Sequence, residues 1–535
     1  MAKYIFVTGG VVSSLGKGIT AASLGRLLKN RGYKVGIQKF DPYINVDPAT
    51  MDPTQHGEVF VTHDGGETDL DIGHYERFLD EDFNRNCDCT TGQIYSTIIS
   101  KERKGEYMGA TIQVVPHVTS EIKNAMKLAG QNNDIVIVEI GGTVGDIEGL
   151  AFLEAIRQMT RELKPGNYVH IHCTLVPYLE SAGEVKTKPT QHSVKELTSL
   201  GLNPDIIVCR TNKDVELSDH NKRKIAMFCN LISPECVIHN PDCRSIYEVP
   251  LVLNAQGLDR IVCGMLELPL GKCDLKEWKE MVDLMEGDLP TVNIAIVGKY
   301  SEVQDSYISV TEAIKHAALK NRHKAKITII SSEDLELTGA KEMLRNFDGV
   351  VVPGGFGARG TEGKILTARY CRENLIPFLG IGYGMQMCVV EFARNVLNLK
   401  DASSVEIDPS TSNPVICMGD DYNGRNMRLG NYKCRLVEGT LARRLYGLQE
   451  IEERHRHSYE FNNQYLDKYI EKGMIISGIN EERNLVEIVE LKDHPFYLAT
   501  EFHPEFKSRP YRPHPIFAGF VSQSIANIKK PTIND

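Results

Sequence analysis

Along residues 1–265, short runs of apolar residues alternate with longer amphipathic stretches. The apolar runs predict strands at Tyr4–Thr8, Val35–Lys39, Ile135–Glu139, Val169–Leu175 and Ile206–Arg210. The stretches between them predict helices, among them Ile19–Asn30, Glu148–Thr160 and Lys195–Leu200. This alternation is typical of a mostly parallel sheet with helices on both faces.

The same alternation begins again after a polar segment, residues 266–288, which we interpret as a linker. The segment contains a charged, helix-like stretch, Leu275–Met285, and the single tryptophan, Trp278. Further strands are predicted at Val292–Val297, Lys326–Ile330, Gly349–Val352 and Phe378–Ile381. The predicted fold class is therefore α/β, with two doubly wound parallel-sheet domains at residues 1–265 and 289–535.

The composition is that of an ordinary globular protein, with 41% hydrophobic and 25% charged residues. A chain of 535 residues is too long for one compact core, which agrees with two domains. No apolar run reaches the roughly 18 residues that a membrane helix needs. The formal net charge of -10 does not favour a nucleic-acid or membrane surface. A polyanionic ligand therefore requires a local cluster of Lys, Arg and backbone amides.

The cysteines and the amino terminus predict a cytoplasmic protein. The 13 cysteines are scattered, which indicates reduced thiols. Cys87 and Cys89 form the one tight pair, and no second pair lies at zinc-finger spacing, so a metal site there is disfavoured. The first apolar stretch runs straight into a glycine loop, which indicates a strand and not a signal peptide.

The loop after the first predicted strand has the features of a phosphate-binding loop. Glycines precede a helix, so backbone N–H groups can surround a phosphate, and Lys17 can reach its outer oxygens. The spacing departs from the strict Walker pattern: five residues separate Gly10 from Gly16, and Gly18 replaces the usual Ser or Thr. A tight glycine turn without a ligand is the alternative, but the strand, loop and helix together favour ATP binding.

Six long motifs are specific enough to compare with known families: Val11–Gly18, Lys39–Asp47, His56–Val61, Gly73–Phe78, Glu139–Glu148 and Lys186–Gln191. They resemble the motifs of CTP synthase, and the resemblance extends over essentially the whole chain. It implies a ligase that transfers the ATP γ-phosphoryl group to the C4 oxygen of UTP. Ammonia then displaces phosphate, and CTP forms. Such a transfer depends mainly on positioning and charge neutralisation.

The resemblance implies roles for residues around the phosphate loop. Lys17 and Lys39 would neutralise the transferred phosphoryl group, and Asp71 and Glu139 would hold Mg²⁺ through carboxylate oxygens. A solvated loop acid is the alternative for Asp71, because other acids crowd the same stretch. The implied ATP-binding residues are Ser14, Leu15, Gly16, Lys17, Gly18, Ile19, Asp71, Pro241, Asp242 and Cys243.

The same resemblance implies one site for UTP and for CTP, the product acting as a feedback inhibitor. Its residues would be Ser13, Asp146, Ile147, Glu148, Lys186, Thr187, Lys188, Pro189, Thr190, Gln191 and Lys224. The lysines supply the local positive charge that the acidic chain lacks overall. For Lys224 a solvated helix face is the alternative, because it ends a run of charged residues. His56 corresponds to the gate that admits ammonia, together with Pro53 and Val59.

The second domain resembles a class I glutamine amidotransferase. Pro353–Gly357 resembles the oxyanion loop, and His503 and Glu505 would be the base and its orienting carboxylate. The implied glutamine-binding positions are Gly355, Tyr383, Gln386, Glu406 and Ser458.

This second site departs from the family at two positions. Gly382 stands where the strand-to-helix elbow presents a nucleophilic cysteine, and Ser458 stands where an arginine binds the glutamine carboxylate. Cys388 lies six positions along the predicted helix from the elbow, so it points elsewhere and is expected in the core. Either a glutaminase that has stopped working or an engineered nucleophile position explains these residues.

The sequence therefore predicts ammonia-dependent CTP synthesis without glutamine-driven activity. The resemblance also implies a homotetramer, filaments, and GTP as an allosteric effector. Two alternatives stay open: a non-catalytic nucleotide-binding assembly protein, and another P-loop ATP-dependent amidotransferase.

Overall fold

The computed structural model describes residues 2–12, 15–181, 183–301, 303–419 and 427–528. The chain divides into two compact units. Unit 1 comprises Met1–Ala49 and Asp71–Asp283, and unit 2 comprises Thr50–Leu70 and Leu284–Asp535. The segment Thr50–Leu70 is therefore part of unit 2 by its contacts, although the chain on either side of it belongs to unit 1.

Unit 1 is built on a seven-stranded parallel sheet. From one edge to the other, its strands are Val237–Pro241, Ile206–Thr211, Tyr168–Leu175, Lys3–Gly9, Ile135–Ile140, Val35–Asp41 and Asp88–Thr90. The central strands are buried along nearly their whole length, as expected for a parallel sheet covered on both faces. All five strands predicted in this half are present, and each is extended by up to two residues at one or both ends.

Helices cover both faces of this sheet. They are Lys17–Asn30, Asp71–Leu79, Thr91–Arg103, Thr119–Ala129, Leu150–Glu162, Lys188–Ser199, Asp219–Phe228, Val249–Ala255, Leu258–Met265 and Lys276–Glu286. The helix predicted to start at Lys195 begins earlier, at Lys188. Pro189 lies in its first turn, where the missing N–H costs no helical hydrogen bond, so this proline starts the helix instead of excluding it.

The helix Lys276–Glu286 lies in the segment that the sequence analysis interprets as a linker. Its Trp278 is buried, and the indole Nε1 donates a 2.7 Å hydrogen bond to the Tyr247 carbonyl oxygen. The indole ring also contacts the rings of Phe78 and Tyr247, with centroids 5.6 and 5.9 Å away. These contacts attach the first part of the helix to unit 1, up to Asp283.

Unit 2 contains a nine-stranded mixed sheet. From one edge to the other, its strands are Lys324–Ser331, Thr291–Gly298, Gly349–Val352, Phe378–Ile381, Tyr497–Thr500, Leu485–Leu491, Met474–Asn480, Arg428–Leu436 and Glu450–His457. The first five strands are parallel, and the remaining four pair antiparallel. The prediction of a doubly wound parallel sheet therefore holds for one side of this sheet only.

Helices and a small second sheet complete unit 2. The helices are Pro53–His56, Ile308–Lys320, Ser332–Thr338, Ala340–Leu344, Thr361–Asn374, Tyr383–Asn395, Leu441–Tyr446, Leu466–Glu471 and Pro515–Ile528. The small sheet consists of Ala402–Ser404, Asn413–Met418 and Tyr459–Phe461. Within the ranges that the structure describes, no helix is both long enough and apolar enough to cross a membrane.

The segment Thr50–Leu70 is attached to the rest of unit 2 by buried polar contacts. It folds back on itself as a short antiparallel pair, Phe60–Val61 with Glu67–Thr68. Arg456 Nε donates a 2.8 Å hydrogen bond to Glu67 Oε1, and Arg454 Nη1 donates one of 3.0 Å to the Val61 carbonyl oxygen. These bonds explain why the segment belongs to this unit.

Candidate active sites

The phosphate loop lies at the carboxyl edge of the parallel sheet of unit 1, where α/β proteins bind their ligands. Gly16 has a φ of 83°, a left-handed conformation that glycine adopts at no steric cost, and helix Lys17–Asn30 follows directly. The helix start has no side-chain cap. Its free amides and its positive end therefore favour an anion. Lys17 Nζ donates a 2.7 Å hydrogen bond to the Gly142 carbonyl oxygen. Two predicted residues, Ser13 and Ser14, lie outside the described residues, whereas Leu15 is buried and Ile19 is half-buried.

The structure explains why Gly18 replaces the Ser or Thr of the strict Walker pattern. A Cβ atom added to Gly18 would lie 2.4 Å from Asp71 Oδ1 and 2.7 Å from Asp71 Cγ. The Asp71 carboxylate therefore occupies the space that a Ser or Thr side chain would need. A carboxylate oxygen stands beside the loop where the usual pattern supplies a hydroxyl oxygen.

Lys39, Asp71 and Glu139 form a charge cluster next to this loop, in which Lys39 and Glu139 are buried and Asp71 is half-buried. Lys39 Nζ lies 2.8 Å from Asp71 Oδ2, and Lys39 is the register partner of Glu139 on the neighbouring strand. Burial alone would raise the pKa of Asp71, but the interactions with Lys39, His74 and Lys17 outweigh it, and the pKa lies below its usual range. Burial and the Asp71 charge raise the pKa of Glu139, whose carboxylate accepts a hydrogen bond from the Tyr75 hydroxyl.

This cluster has the donor chemistry of a magnesium site. Asp71 and Glu139 offer hard carboxylate oxygens, and Mg²⁺ is commonly held by one or two carboxylates, with waters and substrate phosphates completing its shell. Among the described residues, no group of three or more His, Cys, Asp or Glu is placed to hold a metal ion. Two carboxylates are as many protein ligands as a Mg²⁺ ion bound to nucleotide phosphates commonly has.

The residues predicted to bind UTP and CTP lie on two stretches of unit 1. Asp146, Ile147 and Glu148 are exposed around a single helical turn after strand Ile135–Ile140. The other stretch, residues 186–191, runs into the first turn of helix Lys188–Ser199, whose positive end suits a triphosphate. Of its residues, Thr187 and Thr190 are buried, Lys188 is exposed, and Lys186, Pro189 and Gln191 are half-buried.

Lys224 lies on the separate helix Asp219–Phe228 and is exposed. The Lys186 ammonium forms an ion pair with Glu184, and this pair lowers the Glu184 pKa. The Lys224 charge lowers the same pKa to a smaller degree.

The predicted ammonia gate lies in segment Thr50–Leu70. His56 ends the short helix Pro53–His56, and its Nδ1 lies 3.8 Å from Asp69 Oδ2. Gly57 follows with a φ of 83°. The gate residue is therefore carried by unit 2.

The predicted base and carboxylate of the glutaminase site are in place in unit 2. His503 Nδ1 lies 2.7 Å from Glu505 Oε1, and the imidazole stacks on Phe506 with a centroid distance of 5.3 Å. Gly382 lies between strand Phe378–Ile381 and helix Tyr383–Asn395, with φ 52° and ψ -114°. A Cβ added there would lie 2.9 Å from His503 Nε2. The elbow thus faces the base but offers no nucleophile.

The residues predicted to bind glutamine surround this elbow. A Cβ on Gly354 would lie 2.8 Å from His503 Cε1, so the oxyanion loop reaches the same imidazole. Glu406 Oε1 accepts a 2.6 Å hydrogen bond from the Gly357 N–H, and the Tyr383 hydroxyl donates one of 2.7 Å to the Gly357 carbonyl oxygen. Ser458 is half-buried and lies between two strands.

Gln386 and Cys388 are both buried on helix Tyr383–Asn395. Gln386 Nε2 donates a 2.7 Å hydrogen bond to Glu501 Oε1 and one of 3.1 Å to the Tyr459 carbonyl oxygen. Both hydrogens of its amide nitrogen therefore have partners within the protein. Cys388 lies in the hydrophobic core, and burial raises the pKa of its thiol. This agrees with the predicted packing role and leaves the elbow without a substitute thiol.

Two family models and several known proteins match this chain. The family model for the CTP synthase N-terminus matches residues 3–268, and the model for class-I glutamine amidotransferase matches residues 302–523. A CTP synthase from Caldanaerobacter subterraneus subsp. tengcongensis is 56% identical over 536 residues, 99% of each chain. A CTP synthase from Bacillus subtilis is 55% identical over 532 residues, 98% of this chain and 99% of that protein. The chain belongs to the CTP synthase family.

As a CTP synthase, the protein is a ligase of pyrimidine nucleotide biosynthesis. Among solved structures, the glutaminase domain of Trypanosoma brucei CTPS with bound acivicin is 36% identical, with a TM-score of 0.42. That match covers 44% of this chain and 94% of that chain.

Sequence reasoning missed Arg210 in this CTP synthase. Its guanidinium donates to the carbonyl oxygens of Asn240 and Pro241, at 3.1 and 3.2 Å, and to Asp242 Oδ1 at 2.6 Å. A Cβ on Gly16 would lie 3.8 Å from Arg210 Nε. Arg210 therefore binds residues 240–242, which overlap the predicted adenine site, and its guanidinium lies beside the phosphate loop. Cys243 also donates to the Pro241 carbonyl oxygen. Its position at a strand end was the available signal.

Two lysines behind the oxyanion loop were also missed. Lys364 Nζ donates 2.9 Å to the Pro353 carbonyl oxygen, and Lys299 Nζ donates 2.9 Å to that of Gly357. The ammonium groups of Lys364 and Lys299 lie over the Tyr383 ring, 5.1 and 4.8 Å from its centroid. Lys364 Nζ and Lys299 Cε each lie 3.4 Å from a Cβ built on Gly355. Burial lowers the pKa of Lys299 to about 8. No local sequence pattern marks either residue.

The contact between Gly18 and Asp71 gives a test of the phosphate-loop geometry. We expect Gly18→Ser to lower ammonia-dependent CTP synthesis by about 100-fold, because a displacement of about 1 Å at a reacting centre costs that much. The control is Gly264→Ser in helix Leu258–Met265, where an added Cβ meets no atom within 4 Å. Equal kcat/KM values for the two variants would contradict the assigned role of Gly18.

Proposed function

We propose that this CTP synthase aminates UTP with free ammonia, using ATP and Mg²⁺, and that its glutaminase site is catalytically silent. The cluster of Lys17, Lys39, Asp71 and Glu139 at the carboxyl edge of the sheet carries the first half of this proposal. The absence of a side chain at Gly382, facing His503, carries the second half.

In the synthetase unit, the chain's own contribution is charge and position. The amides at the start of helix Lys17–Asn30 would hold the ATP phosphates, and the Lys17 and Lys39 ammonium groups would neutralise charge on the phosphoryl group as it moves to the UTP oxygen. Asp71 and Glu139 would hold Mg²⁺, which supplies further positive charge at the phosphates when bound. Pro241, Asp242 and Cys243 would lie at the adenine.

The triphosphate and base of UTP would be bound by residues 186–191, by Lys224 and by the turn at residues 146–148. Ammonia would enter past His56 and attack C4. The phosphorylated C4 oxygen would then leave as phosphate. CTP would use the same residues as an inhibitor, because it carries the same triphosphate.

In the glutaminase unit, hydrolysis requires a nucleophile that forms a thioester with glutamine. Gly382 provides no atom for this step, although His503 and Glu505 retain a hydrogen-bonded geometry. The oxyanion loop alone falls orders of magnitude short of a complete triad. Without the arginine that Ser458 replaces, glutamine also loses a charge-assisted contact worth about 2–3 kcal/mol.

Lys17 provides the first test. We expect Lys17→Ala to lower CTP formation from UTP, ATP and ammonium chloride by at least about 1,000-fold, because the transferred phosphoryl group loses a neutralising cation. Lys279→Ala, which removes only an exposed ion pair with Asp283, serves as the control. An unaltered chain that binds nucleotides without any turnover would instead support the assembly-protein alternative.

Lys186 tests the shared site for UTP and CTP. We expect CTP to compete with UTP, and Lys186→Ala to weaken both by a similar factor of about tenfold, because a charge-assisted contact to the triphosphate is lost. Initial rates at several UTP and CTP concentrations measure both constants. Non-competitive inhibition, or inhibition of unchanged strength in the variant, would show that CTP binds elsewhere.

The silent glutaminase is tested by measuring CTP formation with glutamine and with ammonium chloride side by side. We expect turnover with ammonium chloride only, in the presence or absence of GTP. Substantial turnover with glutamine in the unaltered chain would overturn this half of the proposal.

Restoring the missing groups distinguishes the two origins of Gly382. Gly382→Cys alone should restore nearly full glutamine-driven activity if an engineered change is the cause. If the site has decayed, the single variant should show weak activity with poor glutamine saturation, and Ser458→Arg should be needed as well. Because the new Cβ would lie 2.9 Å from His503 Nε2, the imidazole must also withdraw slightly.

A further inference from the structure

Buried polar side chains lie beneath the phosphate loop of unit 1 and take no part in the chemistry proposed above. Strand Tyr168–Leu175 carries His170, His172 and Thr174 on one face, because alternate residues of a strand share a face. All three are at most 1% exposed. In the interior of a parallel sheet such groups are costly unless they are hydrogen-bonded.

The two histidines are joined through one threonine. Thr8 Oγ1 lies 2.8 Å from His170 Nε2 and 2.9 Å from His172 Nδ1. Thr8 is also the register partner of His172 in the parallel pairing of the two strands. The second nitrogen of His172, Nε2, lies 2.8 Å from Ser193 Oγ. We call these four residues, Thr8, His170, His172 and Ser193, the buried relay.

The buried relay ends at both nucleotide-binding elements. At one end, a Cβ added to Gly10 of the phosphate loop would lie 1.8 Å from Ser193 Oγ. The Ser193 hydroxyl therefore lies directly beside the loop backbone. At the same end, Ser193 lies on helix Lys188–Ser199, whose first turn carries the proposed UTP residues. A second link, 3.1 Å between the hydroxyls of Thr174 and Thr190, holds that first turn to the same strand.

The hydrogen bonds of the buried relay must all run in one direction. Burial lowers the pKa of His170 to about 4 and that of His172 to about 3, so both rings are neutral at pH 7 and each has one donor and one acceptor nitrogen. The Thr8 hydroxyl has a single hydrogen, and accepting from both rings would leave that buried hydrogen unpaired, so it donates to one ring and accepts from the other. A change of partner at one end therefore reorients every member.

One of the two directions is favoured. His170 Nδ1 has no hydrogen-bond partner among the described residues, and an unpaired buried N–H there would be costly. His170 therefore donates through Nε2 to Thr8, Thr8 donates to His172, and His172 donates to Ser193. In this direction Ser193 accepts from His172, and its own hydroxyl hydrogen can be donated towards the phosphate loop.

We propose that the buried relay is a positioning device that couples the ATP loop to the UTP helix. When ATP or UTP binds, the Ser193 hydroxyl is fixed against Gly10. The residues that bind the other nucleotide are then already in position. The relay residues position the two elements and touch no reacting atom. This inference rests on the proposed assignment of ATP to the Lys17 loop and of UTP to residues 186–191.

Calorimetric titration of the full chain with a non-hydrolysable ATP analogue and Mg²⁺, without and with saturating UTP, tests the coupling. We expect UTP to lower the Kd of the analogue at least about fivefold in the parent, the lower end of ordinary coupling between sites. Ser193→Ala should bring that ratio close to one. Ser199→Ala, on the same helix, removes an exposed hydroxyl that bonds to the Glu196 carbonyl oxygen, and it should keep the parent ratio.

A second pair of variants guards against a general loss of structure. Thr8→Val has nearly the same shape but lacks the hydroxyl, so it should also bring the ratio close to one, whereas Thr8→Ser should keep it. In ammonia-dependent assays, Ser193→Ala should raise the KM for ATP and for UTP while kcat at saturation changes little.

The inference is wrong if Ser193→Ala and Thr8→Val keep the parent ratio, or if UTP does not change the Kd of the analogue in the parent. Failure of the analogue to bind the parent at all would contradict the proposed ATP site itself, and the coupling with it.

Discussion

The synthetase site depends on one ion pair, the 2.8 Å contact between Lys39 Nζ, which is buried, and Asp71 Oδ2, which is half-buried. Removing a carboxylate from water beside a phosphate loop is costly unless a cation pairs with it. Lys39 provides that pairing, and together with His74 and Lys17 it keeps the Asp71 pKa below its usual range. The same placement requires a residue without a side chain at Gly18. The unusual loop motif and the charge cluster are therefore one feature of the structure.

In unit 2, contacts with other residues hold His503 and the oxyanion loop in place around Gly382. His503 is held by Glu505, by stacking on Phe506, and by a 2.8 Å hydrogen bond from its N–H to the Arg454 carbonyl oxygen. The oxyanion loop is held from behind by buried lysines and Glu406. These contacts belong to the packing of the unit, so they do not depend on a side chain at position 382.

Much of the fold could be predicted because buried parallel strands appear as short apolar runs, and those runs were found within two residues of their ends. Elements with weaker patterns were predicted less well. Helix Lys188–Ser199 starts with polar residues and a proline, so its first turns looked like a loop. The antiparallel half of the second sheet was not predicted, because strand direction depends on long connections that periodicity does not describe. Lys299 and Lys364 carry no local pattern either.

The sequence by itself determined the α/β class, the phosphate loop, the family motifs and the glycine at position 382, because each depends on residues that are neighbours along the chain. Only the tertiary structure decided that Asp71 fills the space beside Gly18, that segment Thr50–Leu70 belongs to unit 2, and that Thr8 joins two buried histidines. Those contacts join residues far apart in sequence. They arise where separate strands and helices meet at the carboxyl edge of a sheet or in its interior, and no local pattern records which elements meet there.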